Sequence, residues 1–109
     1  MKLPLADRVE IPRSKIIQYL LASTHRAGRG KARFFSLMGF EMSAWERLAL
    51  ALQQHARDNE VTFSEDTPFG IRYVIEGPLV ALDGRQLQVR TVWFIDEGGH
   101  VPRFVRLSA

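Results

Sequence analysis

The stretch HRAGRGKARFF, residues 25–35, gathers the side chains best suited to chemistry on an anion. His25 has the near-neutral pKa of a general acid or base. Lys31 is a point charge that could face a polar cleft. Gly28 and Gly30 leave backbone amides open at the start of a helix, where unpaired N–H groups bind anions, and Arg29 adds charge. A second group lies in VRTVWFI, where alternation puts Thr91 and Trp93 on one strand face with Val89 and Ile95, and Arg90, Val92 and Phe94 on the other. A hydroxyl there suits a phosphate oxygen and an indole suits a base. Tyr73, beside Arg72, adds a second stacking ring. Arg103, after Pro102, either clamps a phosphate or pairs with Asp96 or Glu97.

Each of these has a plainer reading. The glycines also fit a flexible turn, Lys31 a side chain snorkelling from a helix's first turn, His25 a solvated loop residue, and Trp93 a core anchor. The stretch is not a P-loop, because G-x-x-x-x-G-K-[ST] is absent and no strand precedes it. On a helical wheel Lys31 falls in the sector of Phe34, Phe35 and Met38, whereas Arg33 points to the opposite side.

Composition narrows the options. The chain has 109 residues and no cysteine, which excludes disulfides, thiolate nucleophiles and Cys-based zinc sites. His25, His55 and His100 lack metal-ligand spacing, and His55 and His100 read as structural, so neither a metal nor a cofactor is expected. Residues 1–58 carry ten Lys/Arg against five Asp/Glu, and residues 59–109 five against seven. No carboxylate falls between Glu10 and Glu41, so a positive field there would draw phosphates or an acidic protein. No apolar run approaches the roughly 20 residues of a membrane span, and the first residues do not resemble a signal peptide. A single cytoplasmic domain spanning 1–109 is the expectation, with its oligomeric state open.

The elements that must hold these residues follow from periodicity. Pro12 and the spacing of Ile16, Ile17, Leu20 and Leu21 predict a helix over about 12–22. A loop over 23–30 then leads to a second helix over about 30–38, stopped at Gly39. Ser43 and Glu46 read as a capping box for a third, about 43–57, with Trp45, Leu48, Ala49, Leu52 and Ala56 as its apolar stripe. A polar joint over 58–68 precedes three strands in IRYVIEGPLVAL, QLQVRTVWFI and HVPRFVRL. Asp83-Gly84 marks a hairpin, Asp96 to Gly99 a looser turn, and Gly77-Pro78 a bulge or break. The predicted fold is α+β, with three N-terminal helices packed on one face of a small C-terminal antiparallel meander.

H-x-x-G-x-x-K-A-R-x-F at His25 to Phe35, F-G-x-R-Y at Phe69 to Tyr73, R-T-x-W at Arg90 to Trp93 and P-R at Pro102-Arg103 together resemble an uncharacterised family of small bacterial proteins. The opening K-L-P-x-A-D-R, Lys2 to Arg8, matches it too. Members of that family also occur as C-terminal modules of polymorphic-toxin-like proteins. Arg26 stands where that family usually has proline, and Arg106 where it usually has threonine. The layout is more distantly similar to the barnase, EndoU, colicin and RelE group of ribonuclease toxins. That resemblance implies a metal-independent endoribonuclease: His25 as base, Lys31, Thr91 and Arg103 at the phosphate, and Trp93 or Tyr73 at a base. The alternative is a non-catalytic binding module, an antitoxin, immunity protein or RNA-binding partner, using the basic 25–33 segment on RNA or an acidic protein.

Overall fold

A computed structural model describes residues 1–21 and 39–108. Its first helix, α1 (Arg13–Leu21), starts where the Pro12 carbonyl accepts from the amides of Lys15 and Ile16, and it buries Ile16 completely. The second, α2 (Trp45–Asp58), follows a 3-10 turn over Met42–Ala44. The Ser43–Glu46 capping box does not form: Ala44 is the N-cap and no side chain bonds there. The buried stripe of α2 is Leu48, Ala51, Leu52, His55 and Ala56, which adds Ala51 and His55 to the expected positions and leaves Trp45 and Ala49 half-buried. Its end is closed by Asn59, whose backbone N–H and Nδ2 both donate to the His55 carbonyl, at 3.3 and 2.8 Å.

The sheet is a meander in the order β1-β2-β3-β4, with β1 (Val61–Thr67), β2 (Gly70–Val80), β3 (Gln86–Asp96) and β4 (Arg103–Ser108), every neighbouring pair antiparallel. Two sequence expectations are corrected here. Three N-terminal helices are not found: the described residues hold two α-helices, and the helix expected over 30–38 lies outside them. Among the described residues the sheet has four strands, not three, because the supposed polar joint contains β1. As an edge strand exposed from Thr62 to Asp66, β1 has no apolar alternation to betray it, although Val61, Thr62, Phe63 and Thr67 favour extended backbone. Gly70 closes the β1–β2 turn at φ +144°, where a Cβ would run into the Ile95 carbonyl.

Gly77-Pro78 neither breaks nor bulges β2, which pairs with β3 without interruption from Gly70 to Val80. The Glu97 amide donates to the Phe69 carbonyl at 2.9 Å, which makes Gly70 and Asp96 a non-hydrogen-bonded pair. Even-numbered residues of β2 therefore direct N–H and C=O away from β3. Because β1 begins opposite Ile75, Pro78 points its backbone at a side with no strand among the described residues, and its missing N–H costs nothing. Gly77 serves closeness: a Cβ there would collide with the Asn59 carboxamide. The end of α2 thus rests directly on the sheet.

Gly77→Ala should lower the unfolding free energy by about 1–3 kcal/mol, since overpacking is relieved only by moving the helix end. Urea denaturation of Gly77→Ala with and without Asn59→Ala checks the cause, because removing the carboxamide should recover part of the loss.

Candidate functional site

Register assigns every sheet side chain to one of two faces, and the two faces do different things. On the face toward the helices lie Ile71, Tyr73, Ile75 and Leu79 of β2, Val89, Thr91, Trp93 and Ile95 of β3, and Phe104 and Leu107 of β4. Trp93 meets Phe104 edge to face, with ring centroids 5.4 Å apart. In the middle of this apolar layer sits a polar chain. The Trp93 indole N–H donates to Thr91 Oγ1 at 2.9 Å, and Thr91 Oγ1 lies 2.8 Å from His55 Nε2. His55 Nδ1 is 3.0 Å from the Pro78 carbonyl.

These contacts assign the protons. A carbonyl only accepts, so Nδ1 carries the hydrogen, and the neutral ring then accepts through Nε2 from the Thr91 hydroxyl. The other acceptor near that hydroxyl, the Ile75 carbonyl, is 3.5 Å away and loses to the shorter contact. Burial holds the His55 pKa below its ordinary value of 6.5, against the opposing effect of the Pro78 and Ile75 carbonyls. His55 is 3% exposed, and Thr91 and Trp93 are not exposed at all.

The other face carries the charge. Cross-strand rows read Glu65, Arg72, Phe94, Arg103, then Phe63, Val74, Val92, Arg106, then Glu76, Arg90, Ser108. No helix among the described residues covers it. Arg90, Arg106, Glu65 and Glu76 are exposed, Phe63 is 49% exposed, Arg72 and Phe94 are half-buried, and Val74 and Val92 at its centre are buried. Arg103 is fixed: its Nε and Nη2 donate to the two Asp96 oxygens at 2.9 and 3.3 Å, and its guanidinium lies 5.1 Å from the Phe94 ring centroid. That guanidinium holds the Asp96 carboxyl below its usual pKa. Among the described residues, Arg72, Arg90 and Arg106 make no ion pair.

The residues singled out from sequence divide accordingly. His25, Gly28, Arg29, Gly30 and Lys31 lie outside the described residues. Thr91, Trp93 and Tyr73 are brought together, but inside the protein, where Trp93 has no face open to a base and Tyr73 is 6% exposed. Arg103 stands apart from them. A bulge at Val105 places Phe104 opposite Trp93 and Arg103 opposite Phe94, so Thr91 and Arg103 project from opposite sides of the sheet. The two do not converge on one phosphate. His55 lies beside Leu48 and Leu52 on the α2 stripe, which is the sequence signal that it turns inward. The sequence alone does not group Arg72, Arg90 and Arg106, since their juxtaposition depends on strand register. No three metal-ligating side chains cluster among the described residues.

Residues 2–108 match the model of a family described as a domain of unknown function, DUF6883. The match covers nearly the whole chain, and the protein belongs to that family. No curated protein and no solved structure matches it. No helix among the described residues is long and apolar enough to cross a membrane.

Two outcomes follow from the buried polar chain. Thr91→Val strands the indole N–H and His55 Nε2, so it should cost roughly 2 kcal/mol or more, with Thr91→Ser much milder, in urea unfolding. His55 also sets a pH dependence. Its folded pKa lies below the unfolded value, so the unfolded chain binds more protons between them, and stability falls as pH drops from about 6.5 through the folded pKa. Thermal melts over that range should show this slope, reduced in His55→Gln.

Proposed function

We propose that this domain is a non-catalytic binding module whose sheet face opposite the helices takes single-stranded RNA. The observation that carries the reading is the set of guanidinium groups of Arg72, Arg90 and Arg106, unpaired among the described residues and interleaved with Phe63 and Phe94. Phosphates pair with guanidinium groups and bases stack on rings, and an open antiparallel sheet presents both at once. Rows on one strand repeat every two residues, roughly 6.6 Å, a spacing an extended single strand can follow. Glu65 and Glu76 on the same face temper the charge, which suits a reversible, salt-sensitive contact. The basic segment 25–33 adds Arg26, Arg29, Lys31 and Arg33 to the charge available on the same chain.

The ribonuclease reading needed Thr91 and Arg103 at one reacting centre, and their opposite faces remove that support. The binding reading needs no such convergence.

The test is fluorescence anisotropy with a labelled oligouridine. Arg72→Ala, Arg90→Ala and Arg106→Ala should each weaken binding roughly threefold to tenfold and lower the salt slope by about one. Phe63→Ala should weaken it by a comparable factor, and a duplex should bind more weakly than the single strand. Unchanged affinity in the triple arginine variant would overturn the assignment. Equal competition by polyglutamate would instead indicate an acidic protein partner. Cleavage in EDTA that His25→Ala or Lys31→Ala abolishes would restore the enzyme.

A further inference from the structure

At the edge of β2 beyond the end of β1, a cavity of about 260 Å³ opens between the last turns of α2 and the far end of the β2–β3 hairpin. We propose that it is a binding site for a primary ammonium or guanidinium group carried on a short apolar stem. The volume corresponds to roughly nine waters of liquid, enough for such a group and too small for a large cofactor.

Its lining has a polarity. Ala51, Pro78 and Val80 supply apolar wall, while Gln54, Asp58, Asn59 and Gln86 supply polar side chains, among which Asp58 is the sole formal charge. No cationic side chain among the described residues lines it, and Arg57 Nε reaches Asp58 Oδ1 only at 3.7 Å, an exposed contact worth little in water. The cavity also lies at the C-terminal end of α2, where the helix dipole and the last carbonyls favour cations. The chain already demonstrates this preference, because Lys2 Nζ donates to the Asp58 carbonyl at 2.9 Å.

The strand geometry adds a second, independent feature. Val80 is an even-numbered residue of β2, so its N–H and C=O point away from β3, toward the side that β1 has vacated. Neither group has a hydrogen-bond partner among the described residues. Pro78, two residues earlier on the same side, has its carbonyl bonded to His55 Nδ1, so Val80 is the position left open. A carbonyl with room before it, a carboxylate and carboxamide oxygens together match the donors of an ammonium or guanidinium group. His55 forms part of the inner wall but takes no part, since both ring nitrogens are already engaged.

The experiment is a titration of the ¹⁵N-labelled full chain with n-butylammonium, beside 1-butanol and butyrate as neutral and anionic controls of similar shape at constant ionic strength. Saturable shifts of the Asn59, Val80 and Gln86 amides are expected with the ammonium alone, and Asp58→Asn should weaken binding about tenfold without changing the rest of the spectrum. Lys2→Ala should leave the affinity unchanged or raise it. A peptide carrying one lysine between glycines separates the sources. Tighter binding of the peptide assigns the site to a partner's side chain, equal binding to a free amine, and both support the shared chemistry. Equal shifts with 1-butanol, or no saturable shift at these amides, would overturn the proposal and leave the RNA reading untouched.

Discussion

The 2.8 Å contact between His55 Nε2 and the Thr91 hydroxyl joins α2 to the middle of the sheet, and much of the chain takes its place from it. A buried imidazole is tolerable only with both nitrogens satisfied, so Thr91 must stand on one side and a carbonyl on the other. Pro78 supplies that carbonyl because β1 stops short of it. Asn59 closes the helix immediately beyond His55, and Gly77 leaves room for its carboxamide. Trp93 completes the chain of bonds by donating to Thr91, so the largest core side chain is oriented by the same network. No buried side-chain polar atom among the described residues is left without a partner, which is what lets a polar chain cross an apolar layer at little cost.

Committing the inner face in this way decides what the outer face can do. With Thr91 and Trp93 occupied between helix and sheet, groups able to meet a large ligand on the sheet must come from the alternate positions. Those positions carry Arg72, Arg90, Arg103 and Arg106 with Phe63 and Phe94. Asp96 removes Arg103 from the free set and holds it against Phe94, leaving three guanidinium groups without an ion pair among the described residues. Period-two alternation thus separates the inward hydroxyl and indole, which meet the imidazole of α2, from the guanidinium groups and phenyl rings of the opposite face.

Local pattern made some of this legible. The alternation in VRTVWFI places Thr91 beside Trp93, and the apolar spacing from Leu48 to Ala56 marks α2. What was hidden rests on contacts distant in sequence. The S-x-x-E pattern at Ser43 suggested a cap, but a 3-10 turn displaces the helix start to Trp45. β1 escaped notice because an exposed edge needs no apolar face. Gly77-Pro78 looked like a break, since nothing nearby in sequence says that β1 ends before it or that His55 waits for the carbonyl. Sequence alone allows Arg103 and Thr91 to share a phosphate, because the bulge at Val105, which fixes the face of Arg103, is a property of pairing rather than of the residues themselves.

If the two faces divide structure from binding, side-chain nitrogen resonances report on both in one spectrum. In a ¹⁵N-labelled sample titrated with oligouridine, the guanidinium Nε–H signals of Arg72, Arg90 and Arg106 should move together, while the indole N–H of Trp93, held by Thr91 and buried, stays in place. Movement of the indole signal with the arginine signals unchanged would contradict the account.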